Sequence, residues 1–461
     1  MLNKIKQFLN NNILIAGFWS LGSHGLNSLI RLASNLIMTR LLVPEMFGIM
    51  VIANLLMVGL ALFTDLGTEL NIIRSKRGYE PVFQNTVWVI QILRGFIIWF
   101  IGLIIAGSLY IANANGYLEG NTVYNEPILP FVIAAISFTA VVSGFQSTRM
   151  AITRRELKLK PIFYIELYSQ LITVATMVIW AMIDRSIWAL VSGVIVGRLA
   201  TVAFSYILID GIPNRWQWDK SAFSEVFHFG KWVFVSSIIG FLFVNGDRLI
   251  LGGMLSAEML GIYSIAYIMV TIVLEIYHKM RSAVLFPAFS NVFRDNPSQL
   301  KDQYYKIRIW FDASALFIVG FLYMVSELII TVLYDSRYSE AGAILQILSF
   351  IVIAQRYDVT DQVYLAIGKP KLHSSQVAIR VIALYVSVPL GFHFYGLNGA
   401  LWAIVFSYIS SVPYSIYLKS KNDLLDFKKE LITIPFFPIG IIAGKLLLLL
   451  ITAFVDIEAF K

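Results

Sequence analysis

Apolar stretches of about 20 residues or more follow one another, separated by short polar breaks, from residue 13 to residue 454. Read with their Gly, Pro and charged interruptions, they predict helices at 13–39, 46–72, 84–111, 128–149, 161–184, 187–210, 229–252, 258–286, 309–333, 340–367, 372–395, 397–418 and 431–454. Hydrocarbon about 30 Å thick is crossed by roughly 20 apolar residues of helix, so the first twelve segments read as membrane spans. The thirteenth is interrupted by Pro435, Pro438 and Lys445 and reads as a full span, a re-entrant segment or a surface helix. The expected fold is therefore an all-α polytopic membrane protein of twelve helices, thirteen or fourteen if the C-terminal segment adds to them.

Within this pattern a short string occurs twice. LVPEMFGIMVIA at Leu42 to Ala53 returns as LSAEMLGIYSIA at Leu255 to Ala266, with Glu45/Glu258, Met46/Met259 and Gly48/Gly261 among the identities. Both copies join one long apolar segment to the next, after spans one and seven. A weaker echo, Lys158-Leu159 against Lys371-Leu372, falls at the same offset. Six spans per half is an even number, so two pseudo-symmetric six-helix bundles would enter the membrane in the same sense and face a central cavity. The expected division is an N-terminal bundle at 1–210, a cytoplasmic linker at 211–228, a C-terminal bundle at 229–418 and an added helical segment at 419–461.

Composition narrows the class. The chain of 461 residues is 58% hydrophobic and only 14% charged, with a mean hydropathy of +0.74, far more apolar than a soluble domain. It lacks Cys, which removes disulfides, thiolate chemistry and Cys-based metal sites. Its five His form no HxxxH or HExxH pair, so no metal site is expected. Lys and Arg set the orientation, since positively charged loops stay in the cytoplasm. Alternate breaks carry Lys4 and Lys6; Arg74, Lys76 and Arg77; Arg149, Arg154, Arg155, Lys158 and Lys160; Arg215, Lys220 and Lys231; and so on to Lys428 and Lys429, placing the N-terminus inside. The net charge of +8 is accounted for by topology and anionic lipid, without nucleic acid. Residues 1–12 lead into a segment too long for a signal core, which reads as the first span. The longest break, roughly 279–308, reads as a cytoplasmic loop. Outside loops are short, which argues against glycan polymerases and ligases with a large catalytic outer loop.

RLLVPEMFGI at Arg40 to Ile49, TDLGTELNIIR at Thr64 to Arg74, NGDRLILGGMLSAEMLGIYSIAY at Asn245 to Tyr267 and AIGKPK at Ala366 to Lys371 together resemble the signature corners of the polysaccharide transporter family. That family lies within the multidrug, oligosaccharidyl-lipid and polysaccharide exporter superfamily. The resemblance covers nearly the whole chain. It implies a flippase, working by alternating access, for undecaprenyl-diphosphate-linked oligosaccharide repeat units of O-antigen, capsule or exopolysaccharide in a bacterial inner membrane. Membrane lipids, a polysaccharide polymerase and a chain-length regulator are the further candidate partners.

Such a substrate needs cations and hydrogen-bonding groups inside the bundle. In span one, Ser20, His24, Asn27, Arg31 and either Ser34 or Asn35 recur every three to four residues on one helical face. A charge facing lipid at mid-membrane costs roughly 2.5 to 3.5 kcal/mol on insertion scales, so Arg31 is expected to face inward, as a diphosphate ligand or paired with Asp65 or Glu69. Arg94 and Arg380 within spans three and eleven are the next candidates, followed by Arg356. Asp358 and Asp361 share a face of span ten and suit a proton or Na⁺ site or, alternatively, an interhelical salt-bridge network. Asp247 and Arg248, near the outer end of span seven, suit a gate or a local ion pair. Arg198 and Glu327 read as nearer helix ends, where they would snorkel.

An enzyme has little to stand on: the sequence shows no nucleophile elbow, phosphate-binding Gly-rich loop or metal-ligand spacing. No cofactor is expected beyond a coupling H⁺ or Na⁺. The alternatives are a drug or other amphiphile exporter of the same superfamily, with carboxylates rather than arginines in its cavity, or a membrane glycan polymerase or ligase.

Overall fold

A computed structural model describes the backbone of residues 2–118 and 120–454 and their side chains except those of 2–18, 20, 21, 24, 229–237, 283 and 454. Among the described residues the regular structure is entirely helical. The α-helices in chain order are α1 (Leu2–Leu41), α2 (Pro44–Phe63), α3 (Thr68–Arg74), α4 (Pro81–Ala114), α5 (Leu129–Gly144), α6 (Arg149–Arg155), α7 (Lys160–Ile183), α8 (Trp188–Ile207), α9 (Lys220–Gly252), α10 (Ala257–Met280), α11 (Phe286–Asp295), α12 (Leu300–Leu333), α13 (Ala341–Leu348), α14 (Gln355–Ala366), α15 (Pro370–Ile409), α16 (Val412–Lys421), α17 (Phe427–Leu431) and α18 (Phe436–Phe454). Nine helical stretches among the described residues are long and apolar enough to cross a membrane, ten if α5 and α6, bent by 66°, count as one.

One of the nine, Pro370–Lys421, has 52 residues and folds back on itself. Tyr395 and Gly396 leave the helical region, Gly396 with φ 61°. A Cβ on Gly391 would lie 2.5 Å from the Gly399 carbonyl oxygen, and the Ser387 hydroxyl donates to the Ala403 carbonyl at 3.3 Å. Those pairs are centred on residue 395, so the two arms are antiparallel. Glycine supplies both the left-handed turn and the close approach. The two spans expected at 372–395 and 397–418 are these arms.

Other expected boundaries need correction. The second span stops at Phe63 rather than running to residue 72. Gly67 takes a left-handed φ of 60°, held by an Asx turn from its amide to Asp65 at 3.0 Å. The fourth ends at Gly144, where the Ser147 amide turns away to the Ser205 hydroxyl at 3.1 Å. Residues 279–308 are helical rather than a loop: α10 passes through a π-helical turn at Arg281–Leu285 into α11, and a 3₁₀ turn at Pro297–Gln299 leads into α12. The thirteenth segment is a helix in a stretch, Phe427–Ala453, long and apolar enough to span. It lies antiparallel on α12, where a Cβ on Gly320 would fall 2.2 Å from the Phe437 carbonyl oxygen, and one on Gly440 at 2.2 Å from that of Phe317.

The chain forms two compact units, Met1–Phe241 with Gly252–Ala257, and Leu242–Leu251 with Glu258–Lys461. In the first, Gly48 of the repeated string lets α2 approach Ala257, whose carbonyl oxygen lies 1.9 Å from where a Cβ would stand. Its basic residues serve helix ends. Arg149 donates to the carbonyls of Tyr206, within the last turn of α8, and Ile209, just beyond it, at 3.2 and 2.9 Å. Arg155 does the same for Ile72 of α3, and for Ser75, at 2.7 and 2.6 Å. At the start of α9 the Ser221 hydroxyl, the Ala222 amide and the Arg77 guanidinium lower the Asp219 carboxyl to about 2. In the second unit α12 is central and packs against α18, α13 and α14.

Candidate functional site

The N-terminal unit contains a cavity of about 610 Å³ walled by α2, α4, α5, α8 and the 64–70 turn. Its lining follows helical spacing: Asn54, Met57, Val58 and Ala61 on α2; Gln91, Arg94, Gly95 and Ile98 on α4; Ile136, Thr139, Ala140, Ser143 and Gly144 on α5; Val194 and Arg198 on α8. Small residues draw α4 and α5 together on this side: a Cβ on Gly95 would stand 2.5 Å from the Ala140 carbonyl oxygen. Arg94 is anchored by the break after α2. It donates to the Ala61 carbonyl at 2.5 Å and the Thr64 hydroxyl at 3.1 Å, and lies 3.5 Å from Asp65. Glu69 accepts two bonds from Arg154, at 2.5 and 2.6 Å. Arg198, by contrast, has no hydrogen-bond or ion-pair partner among the described residues.

The second unit holds three buried polar clusters. In the first, Arg308 grips Glu430 with both terminal nitrogens and lies 3.2 Å from Asp312. Lys419 reaches Glu430 at 2.9 Å, and Arg356 reaches Asp312 at 3.3 Å and the Glu430 carbonyl at 2.9 Å. The ring of Tyr357 lies among the three cations. In the second, Asp358 is 2.7 Å from Arg380 and 3.7 Å from Arg281, while Asp361 accepts from Gln376 at 2.6 Å and contacts His373 at 2.9 Å. In the third, Asp247 accepts from the Tyr263 hydroxyl at 2.5 Å and lies 3.7 Å from Arg248, which stacks on Tyr267. Among the described residues no group of three or more His, Cys, Asp or Glu could hold a metal ion.

A family model described as "Polysaccharide biosynthesis protein" matches residues 37–343, more than half of the chain and all of the cavity lining. The chain belongs to that family. This family member is 22% identical over 325 residues to the lipopolysaccharide biosynthesis protein WzxC of Escherichia coli K12, a match covering 68% of this chain and 62% of that protein, less than two thirds of its length. Its fold is that of the lipid II flippase MurJ in an inward closed conformation, with a TM-score of 0.67 at 14% identity over 96% of this chain and 100% of that one. It is also that of an inward-facing multidrug resistance MATE family transporter of the MOP superfamily, with a TM-score of 0.66 at 14% identity over 86% and 94%. The shared fold thus includes a lipid flippase and a drug transporter alike.

In this polysaccharide biosynthesis family member the sequence-derived candidates separate. Arg94 lines the cavity; Arg31 is exposed on α1 and is absent from the lining among the described residues. Asn27 turns to Ser23, at 3.2 Å, and with it to Glu166 on α7. The side chains of Ser20 and His24 lie outside the described residues. Arg356, Arg380, Asp358 and Asp361 belong to the paired clusters of the second unit, with Asp358 and Asp361 meeting different partners although they share a helix. Arg198 was misplaced by the expectation that it lies near a helix end. It stands mid-way along α8, about 15 Å from either end at 1.5 Å per residue, too deep to snorkel. The signal that would have found it is the polar pairing at three- and four-residue spacing in neighbouring spans, Gln91 with Arg94 and Thr139 with Ser143.

Proposed function

We propose that the protein is a flippase that carries an undecaprenyl-diphosphate-linked oligosaccharide across the bacterial inner membrane for assembly of a surface polysaccharide. The observation that carries this reading is a polar cavity, set with arginines, within an apolar helical unit of a polysaccharide biosynthesis family member. Its volume of about 610 Å³ falls in the range of small-molecule sites, roughly 300–1,000 Å³, so it suits a head group with a sugar or two while the prenyl chain stays in lipid. The charge pattern supports cytoplasmic loading: the 64–70 wall adjoins Arg74, Lys76 and Arg77, which the positive-inside rule places in the cytoplasm. Arg31 on α1 is a second contact in this proposal. Transport makes and breaks no covalent bond, so the protein acts without enzymatic turnover, and net movement draws on an H⁺ or Na⁺ gradient or on consumption of the product by a polymerase with its chain-length regulator.

The test is mass spectrometry of the lipid fraction from cells lacking the protein. A complete prenyl-linked repeat unit retained on the cytoplasmic leaflet, with loss of surface polysaccharide, is the expected result. Polysaccharide made normally would overturn the reading in favour of an exporter of another amphiphile, and a single unit already facing outward would overturn it in favour of a polymerase or ligase.

A further inference from the structure

Two polar groups of the N-terminal cavity are left unsatisfied by the protein, and they are of opposite kind. Arg198 is a cation without a partner among the described residues, and the Gln91 side-chain oxygen is buried without a hydrogen-bond donor. The other charged lining residues are committed, Arg94 to the α2 end and Asp65, and Glu69 to Arg154. The four charged lining residues sum to zero, but Glu69 is already neutralised by Arg154 from outside the lining, so Arg198 is left as a lining cation without a paired carboxylate among the described residues. The direction of Arg198 is fixed by packing on the other side of α8: a Cβ on Gly197 would fall 1.9 Å from the Thr173 hydroxyl, and one on Gly193 at 2.2 Å from the Met177 side chain. Those glycines press α8 onto α7 and leave Val194 and Arg198, one turn apart, in the cavity wall.

We infer that Arg198 binds the diphosphate of the substrate and that Gln91 accepts a hydroxyl of the sugar next to it. A guanidinium matches phosphate oxygens with two parallel N–H donors, and the pair outweighs a neutral hydrogen bond where water is scarce. An acceptor with no donor calls for the hydroxyl that a sugar supplies and a bare anion lacks. The ligand is thus an oxyanion that also carries hydroxyls. This assignment rests on the flippase reading and adds the residues that recognise its substrate.

The experiment measures binding to the purified full chain in lipid nanodiscs, with undecaprenyl diphosphate, undecaprenyl-diphosphate-N-acetylglucosamine and neutral undecaprenol as probes. The wild type should bind both diphosphates and release them to excess inorganic pyrophosphate, which identifies the anion and not the prenyl chain as the recognised part. Arg198→Gln should weaken both at least tenfold, Arg198→Lys should recover part of that loss, and Gln91→Leu should weaken only the sugar-bearing probe. Thermal unfolding of each variant, expected within a few degrees of wild type, separates lost binding from lost folding. Equal affinity of Arg198→Gln and wild type for the diphosphates overturns the inference and leaves the flippase reading standing. A wild type that holds undecaprenol as tightly as the diphosphates overturns both.

Discussion

Replacing Glu430 with Ala removes the carboxylate that Arg308 grips with both terminal nitrogens, that Lys419 approaches at 2.9 Å and that accepts from the Tyr305 hydroxyl at 2.9 Å. Arg308 is 1% exposed and Lys419 0%, so water cannot replace what is lost. Arg308, Arg356 and Lys419 would then share one carboxylate, Asp312, where two now balance them. Removing one member of a buried ion pair costs about 3–5 kcal/mol, chiefly because the survivor stays buried and charged. Coulomb's law agrees in scale: unit charges 4 Å apart interact by about 4 kcal/mol at an effective dielectric of 20. At about 2–4 °C per kcal/mol for a unit of 150–250 residues, Glu430→Ala should lower Tm by roughly 6–20 °C. The assay is thermal unfolding of the detergent-solubilised protein followed by tryptophan fluorescence. Glu430→Gln, which keeps an acceptor for Tyr305 but no charge, should fall nearly as far. Adding Lys419→Met to Glu430→Ala removes a cation as well and should recover part of the loss. A shift below about 2 °C for Glu430→Ala would refute the claim that this carboxylate holds the α16–α17 end to α12.

At Gly48, Val would drive a branched Cβ into the Ala257 carbonyl oxygen, 1.9 Å away; overpacking of this kind costs at least about 1–3 kcal/mol, read as a lowered Tm, and wild-type stability would show that α2 can move aside. Arg155→Ala strips the cap from the last carbonyls of α3 and the stacking on Tyr79, and should cost about 1 kcal/mol or more. Lys158→Ala, in the same basic segment but 72% exposed with Glu156 as its ion-pair partner, should change stability by less than about 0.5 kcal/mol. Equal effects of the two on unfolding would mean that both act only as topology signals.

The spans were legible because lipid imposes a single rule on every helix, and the repeated string was legible because its glycine does a steric job that few other residues can do. Three features were hidden for physical reasons. The break after Phe63 lies inside an apolar run, since the groups that end α2, Thr64, Asp65 and Gly67, act through local hydrogen bonds that hydropathy does not register. The 279–308 segment looked like a loop because Arg281, Arg294 and Arg308 punctuate it, but Arg281 and Arg308 are buried against Gln355 and Glu430 from distant helices. The pairing of the arginines was hidden for a related reason. A sequence shows which spans carry a cation and hides which cations already have a carboxylate: Arg356 is paired with Asp312 and Arg380 with Asp358, whereas Arg198, read from the sequence as a residue near a helix end, has no such partner among the described residues.

Arg94 tests that distinction most directly, because it lines the cavity and yet works for the helix behind it. Ending α2 at Phe63 leaves its last carbonyls without intrahelical donors; the Ala61 carbonyl takes one from Arg94 at 2.5 Å, and Asp65 draws charge compensation from the same guanidinium at 3.5 Å. Arg94→Met therefore does two separable things. It takes the shorter of two hydrogen bonds from the half-buried Ala61 carbonyl, leaving only the Thr64 hydroxyl at 3.4 Å, at about 1 kcal/mol, and it leaves Asp65 as an unpaired anion in the cavity that Arg198 also lines, which should weaken diphosphate binding by repulsion. Adding Asp65→Asn removes the repulsion but cannot restore the cap. The double variant should thus regain most of the binding while its Tm stays low. If Arg94 were itself a ligand of the diphosphate, the double variant would remain as defective in binding as Arg94→Met, and that outcome would remove the argument that Arg198 alone among the charged lining residues is uncommitted.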